Sequence, residues 1–145
     1  KCILEALNSR LPKPVTMSRF RPNIVVSLSP KDYEPYAEDT WRKFRLGKVK
    51  SPPSHLFFLN THPQHLMQEV FYGVKPCSRC KMTTVDPTKG EFGGEEPLAT
   101  LRKFRKRDNG SVYFGQNLLQ EAVAGTLMVG DKLKVLSAGS AGRTF

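Results

Sequence analysis

Short runs of alternating or β-branched apolar residues, each cut off by glycine or proline, dominate this chain, and only one internal stretch repeats with a helical period. The 11 glycines and 11 prolines among 145 residues keep the elements short. Short strands joined by such turns favour a mainly β fold closed into a barrel, with a few short helices. Arg21 to Ser27 reads as a buried strand, since Ile24, Val25 and Val26 are apolar and Pro22 is tolerated only near a strand start or edge. Arg42 to Leu46 alternates, with Phe44 and Leu46 inward and Arg45 outward, before Gly47 turns the chain. Glu69 to Lys75 is a further strand. Leu127-Met128-Val129 and Leu133 to Leu136 flank Gly130-Asp131 as a hairpin-like pair that would close the barrel.

The helical stretch runs from about Pro97 to Arg107. Pro97 suits a first helical position, Leu98, Leu101 and Phe104 share a face, and Asn109-Gly110 ends it. A second helix is expected at the start, where Leu4, Leu7 and Leu11 fall on one side before Pro12. No initiator Met precedes Lys1, so the chain reads as a fragment whose targeting signals cannot be seen. The organisation expected is one domain over 1–145. Residues 51–68, which open with Pro52-Pro53 and hold His55, His62 and His65, read as a surface excursion, and a flexible tail covers 137–145.

No apolar run approaches the ~18 residues of a membrane span. The 23 basic against 13 acidic residues, a formal +10, point to an anionic partner: phosphate, nucleic acid, acidic protein or membrane surface. The run Arg102-Lys103-Phe104-Arg105-Lys106-Arg107 invites a nucleic-acid reading. Yet it occupies the last turns of a helix preceded by Glu95 and Glu96, the charge order that complements a helix dipole, and its aromatic residue faces inward. A solvated helix face explains it better, with an acidic docking partner ahead of nucleic acid as the functional alternative.

The chemistry concentrates in Lys75-Pro76-Cys77-Ser78-Arg79-Cys80-Lys81, where two thiols lie among cations that favour the thiolate. Three chemistries fit: a thiolate metal ligand, a redox dithiol, or half of a zinc site. An all-cysteine zinc site is excluded within one chain, because the only other cysteine is Cys2, and the three histidines come before the motif, the reverse of the zinc-finger order. A thioredoxin-type dithiol wants a helix immediately after the motif. Here Thr83-Thr84-Val85 reads as continuing strand and Asp86 to Gly90 as a turn. Free thiols and a metal site suit an intracellular, reducing compartment, mitochondrial or cytoplasmic.

Five motifs in register resemble one family. They are Arg19-Phe20-Arg21-Pro22-Asn23-Ile24-Val25-Val26; Glu38-Asp39-Thr40-Trp41; Lys75 to Cys80 followed by Thr83-Thr84-Val85-Asp86-Pro87; Glu96 to Leu101; and Phe114-Gly115-Gln116-Asn117. In this order, from about Leu7 to Leu136, they resemble the MOSC domain, and within it most resemble the mitochondrial amidoxime-reducing component and its bacterial relatives. The C-terminal domain of molybdenum-cofactor sulfurase is the next relative.

The resemblance implies a MOSC-type β-barrel and an oxidoreductase that reduces N-hydroxylated compounds, amidoximes and hydroxylamines, by N–O cleavage at a molybdenum cofactor (molybdenum with molybdopterin). It implies Cys80 as the catalytic thiolate on molybdenum, with Cys77 as a neighbour. Arg21 and Arg79 are implied as cofactor holders, with Asn23 and Ser78 as shorter hydrogen-bonding partners. At family level it also carries pyridoxal phosphate binding. The implied partners are a small N-hydroxylated substrate and an external electron donor, a cytochrome b5-type carrier with its reductase. It also implies that the domain here lacks its N-terminal part, that regions upstream of Lys1 help to wall the cofactor site, and that 51–68 is an insertion between two strands. Two other classes stay open: a sulfur- or cofactor-carrier domain as in the sulfurase, and a non-enzymatic basic binding module.

Overall fold

The computed structural model of the protein describes residues 2–47 and 69–139. It is mainly β, as the sequence suggests, with two short α-helices and single 3-10 turns: α1 (Ile3–Asn8), β1 (Trp41–Gly47), β2 (Glu69–Arg79), α2 (Leu98–Arg105), β3 (Val112–Gln120) and β4 (Lys132–Ala138). The four strands form one sheet in the order β3-β2-β1-β4, and β1 pairs antiparallel with both β2 and β4. With β3 and β4 at opposite edges, this sheet is open, and the expected barrel closure is not present among the described residues. No helix among them is long and apolar enough to cross a membrane.

Two compact units are distinguished, Lys1–Asp39 with Pro76–Gln116, and Thr40–Lys75 with Asn117–Phe145. The first has a core of Leu7, Phe20, Leu98, Leu101, Val112 and Phe114, all buried, with Leu4, Leu11 and Phe104 packed against it. The amphipathic spacing expected of both helices is therefore the spacing that buries them. Leu7 and Leu101 are wholly inaccessible to solvent, and Phe20 stacks on Phe114 with ring centroids 4.3 Å apart. Glu96 stands just before α2 and accepts from Thr100 twice, from the backbone N–H and from Oγ1, each at 3.0 Å. An acid at a helix start satisfies donors that the helix itself leaves free.

In the second unit the alternation of β1 appears as expected: Phe44 and Leu46 are buried, and Phe44 stacks on Phe71 of β2 at 5.8 Å. Gly47, with φ of +135°, ends β1 in a conformation that favours glycine. Buried Glu69 is partnered by the Gln120 amide, which donates at 2.9 Å.

Four local expectations fail. Arg21 to Ser27 forms no strand: Arg21 lies in the left-handed region at φ 50°, Val25 is half exposed, and the segment finds no ladder partner among the described residues. β-branched residues favour extended backbone, but a strand exists only where a neighbour accepts its hydrogen bonds. Thr83-Thr84-Val85 does not continue the strand; Lys81–Thr84 is a 3-10 turn in which Thr83 and Thr84 donate their hydroxyls back to Cys80 and Lys81. Such local hydroxyl bonds compete with a ladder. Leu127 to Val129 is exposed and unpaired, so β4 pairs with β1 instead of a hairpin mate. The Asp131 carboxylate takes the Met128 N–H at 2.8 Å and closes the turn locally. Finally, β4 extends through Ala138, so Ser137 and Ala138 belong to a strand and not to a tail. The insertion at 51–68, its three histidines included, and residues 140–145 lie outside the described residues.

Candidate functional site

The first unit brings together three of the sequence motifs. β2 delivers Cys77, Ser78 and Arg79 in extended backbone, and Cys80 follows in the same conformation (φ −119°, ψ −175°) before the 3-10 turn Lys81–Thr84. Side chains alternate along such a segment. Cys77 and Arg79 therefore share one face and are partly buried, whereas Ser78 and Cys80 share the other and are exposed. Three residues of extended rise separate the two Cys Cα atoms by about 10 Å. That exceeds the ~7 Å a disulfide can bridge. All three cysteines are free, and the Cys77 thiol reaches only the Ser78 carbonyl at 3.9 Å. The geometry disfavours a dithiol and leaves Cys80 as the most exposed of the three thiols.

Arg79 is placed differently from the sequence expectation. Its Nε and Nη2 donate to the Phe114 carbonyl at 2.8 and 2.7 Å, and its Nη1 donates to the Phe20 carbonyl at 2.9 Å. The guanidinium also lies 5.6 Å from the Phe20 ring centroid. Three of its five N–H donors are thus committed to main-chain carbonyls. Arg79 ties the residue before Arg21 to β3, next to Gly115, whose φ of +77° is a backbone conformation that favours glycine. Arg21, Asn23 and Ser78 are exposed, and none of their side chains hydrogen-bonds among the described residues.

The sequence reading missed Arg19. It donates from Nη1 to the Thr84 carbonyl at 3.0 Å and pairs with Asp86 at 3.6 Å, fastening the Arg19 to Asn23 segment to the turn that follows Cys80. Its signal was present as the cation of the first motif, but an arginine that bonds main chain looks in sequence like one that bonds a ligand.

Glu38 and Tyr36 were missed as well. Burial lifts the Glu38 carboxyl to about 7, Asp39 adds to the rise and Arg105 opposes it. Burial also pushes the Tyr36 hydroxyl up to about 12. Neither Glu38 Oε1 nor the Tyr36 hydroxyl has a hydrogen-bond partner among the described residues, although both are shielded from solvent. The Gln116 side-chain amide donates to the Glu38 carbonyl, so the segment just before β1 is held from β3. Beside them Arg105 closes a buried ion pair with Asp39 at 2.7 Å and donates from Nε to the Tyr113 carbonyl at 3.0 Å. Two of the five cations in the basic run are therefore structural: Arg105, and Arg107, which stacks over Tyr113 at 4.8 Å. Arg102, Lys103 and Lys106 are exposed, and the solvated helix face is the reading that fits Lys103 and Lys106.

Among the described residues no three His, Cys, Asp or Glu side chains gather into a metal-binding group. One exposed soft donor suits a metal that brings its remaining ligands with it, as an organic cofactor does, and not one that takes all its ligands from the chain.

A mainly β domain that presents an exposed thiol just after a strand, with arginines fastening the neighbouring segments, is the class defined here. Residues 3–134 match the MOSC domain, and the chain belongs to that family. It is 36% identical over 140 residues to human "Mitochondrial amidoxime-reducing component 1", covering 92% of this chain and 34% of that protein. The Xenopus laevis protein of the same name is 38% identical over 135 residues, covering 88% of this chain and 32% of the relative. Rat "Mitochondrial amidoxime reducing component 2" is 37% identical over 132 residues, covering 86% and 32%. The chain thus spans about a third of the length of these relatives.

Proposed function

We propose that this chain is the MOSC portion of a molybdenum-dependent reductase of N-hydroxylated compounds, with Cys80 as the protein ligand of the metal. The observation that carries the reading is the lone exposed Cys80 sulfur at the end of β2, in a domain whose relatives are named for amidoxime reduction. When bound, a molybdenum–pterin cofactor supplies two-electron chemistry that cleaves an N–O bond. The chain's own part is ligation and orientation. Cys80 offers a soft sulfur that the extended backbone holds clear of Cys77. Arg21, Asn23 and Ser78 keep their side chains available to the cofactor phosphate and pterin, Arg21 with a planar fork suited to phosphate. Arg79 and Arg19 act one step back, by fixing the main chain just before Arg21. The names of the relatives favour a mitochondrial site, and an external donor such as a cytochrome b5-type carrier with its reductase would supply electrons.

The test uses the full-length protein, assayed for reduction of benzamidoxime with a reconstituted electron donor, alongside molybdenum and pterin analysis. Cys80→Ser should abolish reduction and alter the metal's spectroscopic signature, because a hydroxyl is a harder and far less acidic donor. Cys77→Ser should retain most activity. Equal and complete loss in both variants would refute the single-ligand assignment. Intact cofactor binding with no reduction by the unaltered protein would favour a carrier domain of the sulfurase kind.

A further inference from the structure

A surface cavity of about 280 Å³ opens in the first unit, lined by Lys81, Thr84, Phe92, Glu95, Leu98 and Arg102 among others. Its residues come from the 3-10 turn that Cys80 caps, from the loop after the Asp86 turn, and from the first half of α2. Three features set it apart from ordinary surface. Lys81 and Arg102 both belong to it, and neither makes an ion pair among the described residues. Phe92, bridged to Val85 through its backbone, is a large apolar residue left 70% exposed. Leu98, which is almost wholly buried, gives the cavity an apolar floor.

Unpaired cations set beside an exposed aromatic ring have a common solution. A flat apolar group covers the ring and the floor, while a negative group attached to it meets the cations. The volume sits just below the ~300 Å³ at which drug-sized pockets begin, so it suits a single-ring ligand. Glu95 is the carboxylate in the lining and opposes an anion, but Lys81 and Arg102 outnumber it.

From this geometry we propose that this cavity, which Lys81 helps to line, is a binding site for small aryl anions, an aromatic ring carrying a carboxylate or another acidic group. The anion lies between Lys81 and Arg102, and the ring rests on Phe92 and Leu98. The site stands on these residues whether or not the chain is a reductase. Under the reductase reading it adds specificity, since Lys81 directly follows Cys80, and substrates bearing an acid group would be preferred.

Ligand-observed fluorine NMR on the full-length protein tests it without turnover, using 4-fluorobenzoate and, as the uncharged control, 4-fluorobenzamide. 4-Fluorobenzoate should bind about tenfold tighter than the amide. Lys81→Gln and Arg102→Gln should each weaken 4-fluorobenzoate several-fold and remove most of that preference together, and Glu95→Gln should tighten it. Phe92→Ala should weaken both probes. Lys103→Gln, an exposed cation outside the lining, should change neither. All of these are surface positions apart from the chain's core, and unfolding midpoints verify that each variant folds. Equal affinity for acid and amide, or unchanged 4-fluorobenzoate binding in the Lys81→Gln/Arg102→Gln double variant, would overturn the proposal. Because binding is read directly, its failure is separable from a failure of the reductase assay.

Discussion

Replacing Glu38 by glutamine should make the protein more stable at alkaline pH and leave it almost unchanged in acid. The folded state raises the Glu38 carboxyl from 4.5 to about 7, chiefly by burial. Between those values the folded chain keeps a proton that the unfolded chain releases, so stability falls as pH rises through this window. Below it Glu38 is neutral in both states and costs nothing; above it the full cost of a buried charge is present. A shift of that size corresponds to about 3 kcal/mol, at ~1.4 kcal/mol for each tenfold change in proton affinity. Glutamine has the same shape and no charge to bury, so it removes this dependence. The gap in Tm between Glu38→Gln and the unaltered protein should reach on the order of 10 °C at pH 8. It should close towards pH 4.5. Thermal unfolding of both proteins at intervals across that range reads the difference directly, and other titrating groups cancel between the two curves. A gap that stays constant with pH, or one that opens in acid, would show that Glu38 is not the buried proton-binding group inferred from its shielded and unpartnered Oε1.

Two further outcomes separate holding a ligand from holding the fold. Arg79→Lys should cost about 1–3 kcal/mol, measured by urea unfolding, because a single ammonium cannot satisfy the Phe114 and Phe20 carbonyls together. Arg21→Lys should leave stability unchanged while pterin per protein falls, and normal pterin content in that variant would show that Arg21 does not hold the cofactor. Asp39→Ala should destabilise the protein by about 3–5 kcal/mol, since it strands the Arg105 guanidinium, and a loss below 1 kcal/mol by urea unfolding would show that the pair is effectively solvated.

The mainly β class, the two helices and their buried faces, and the alternation of β1 were all legible in the sequence, as was a strand leading into the Cys77 to Cys80 motif. Each depends on spacing within a few residues: Leu98 and Leu101 fall on one side of any helix, and Phe44 and Leu46 on one side of any strand. Even the separation of the two thiols was within reach, because an extended Cys77 to Cys80 must point its sulfurs to opposite faces. The missing piece was that β2 runs through the motif as far as Arg79.

What only the tertiary structure decided concerns partners far apart in the chain. Whether Arg21 to Ser27 becomes a strand depends on a neighbour to pair with, and β-branched side chains cannot supply one. Whether Arg79 grips an anion or the main chain depends on the carbonyls of Phe20 and Phe114, which lie 59 and 35 positions away. Glu38 is ordinary in sequence and becomes a proton-holding group only because packing takes its carboxyl out of water. Local periodicity fixes which way a side chain faces; the dielectric and the hydrogen-bond partners it then meets are properties of the assembled fold.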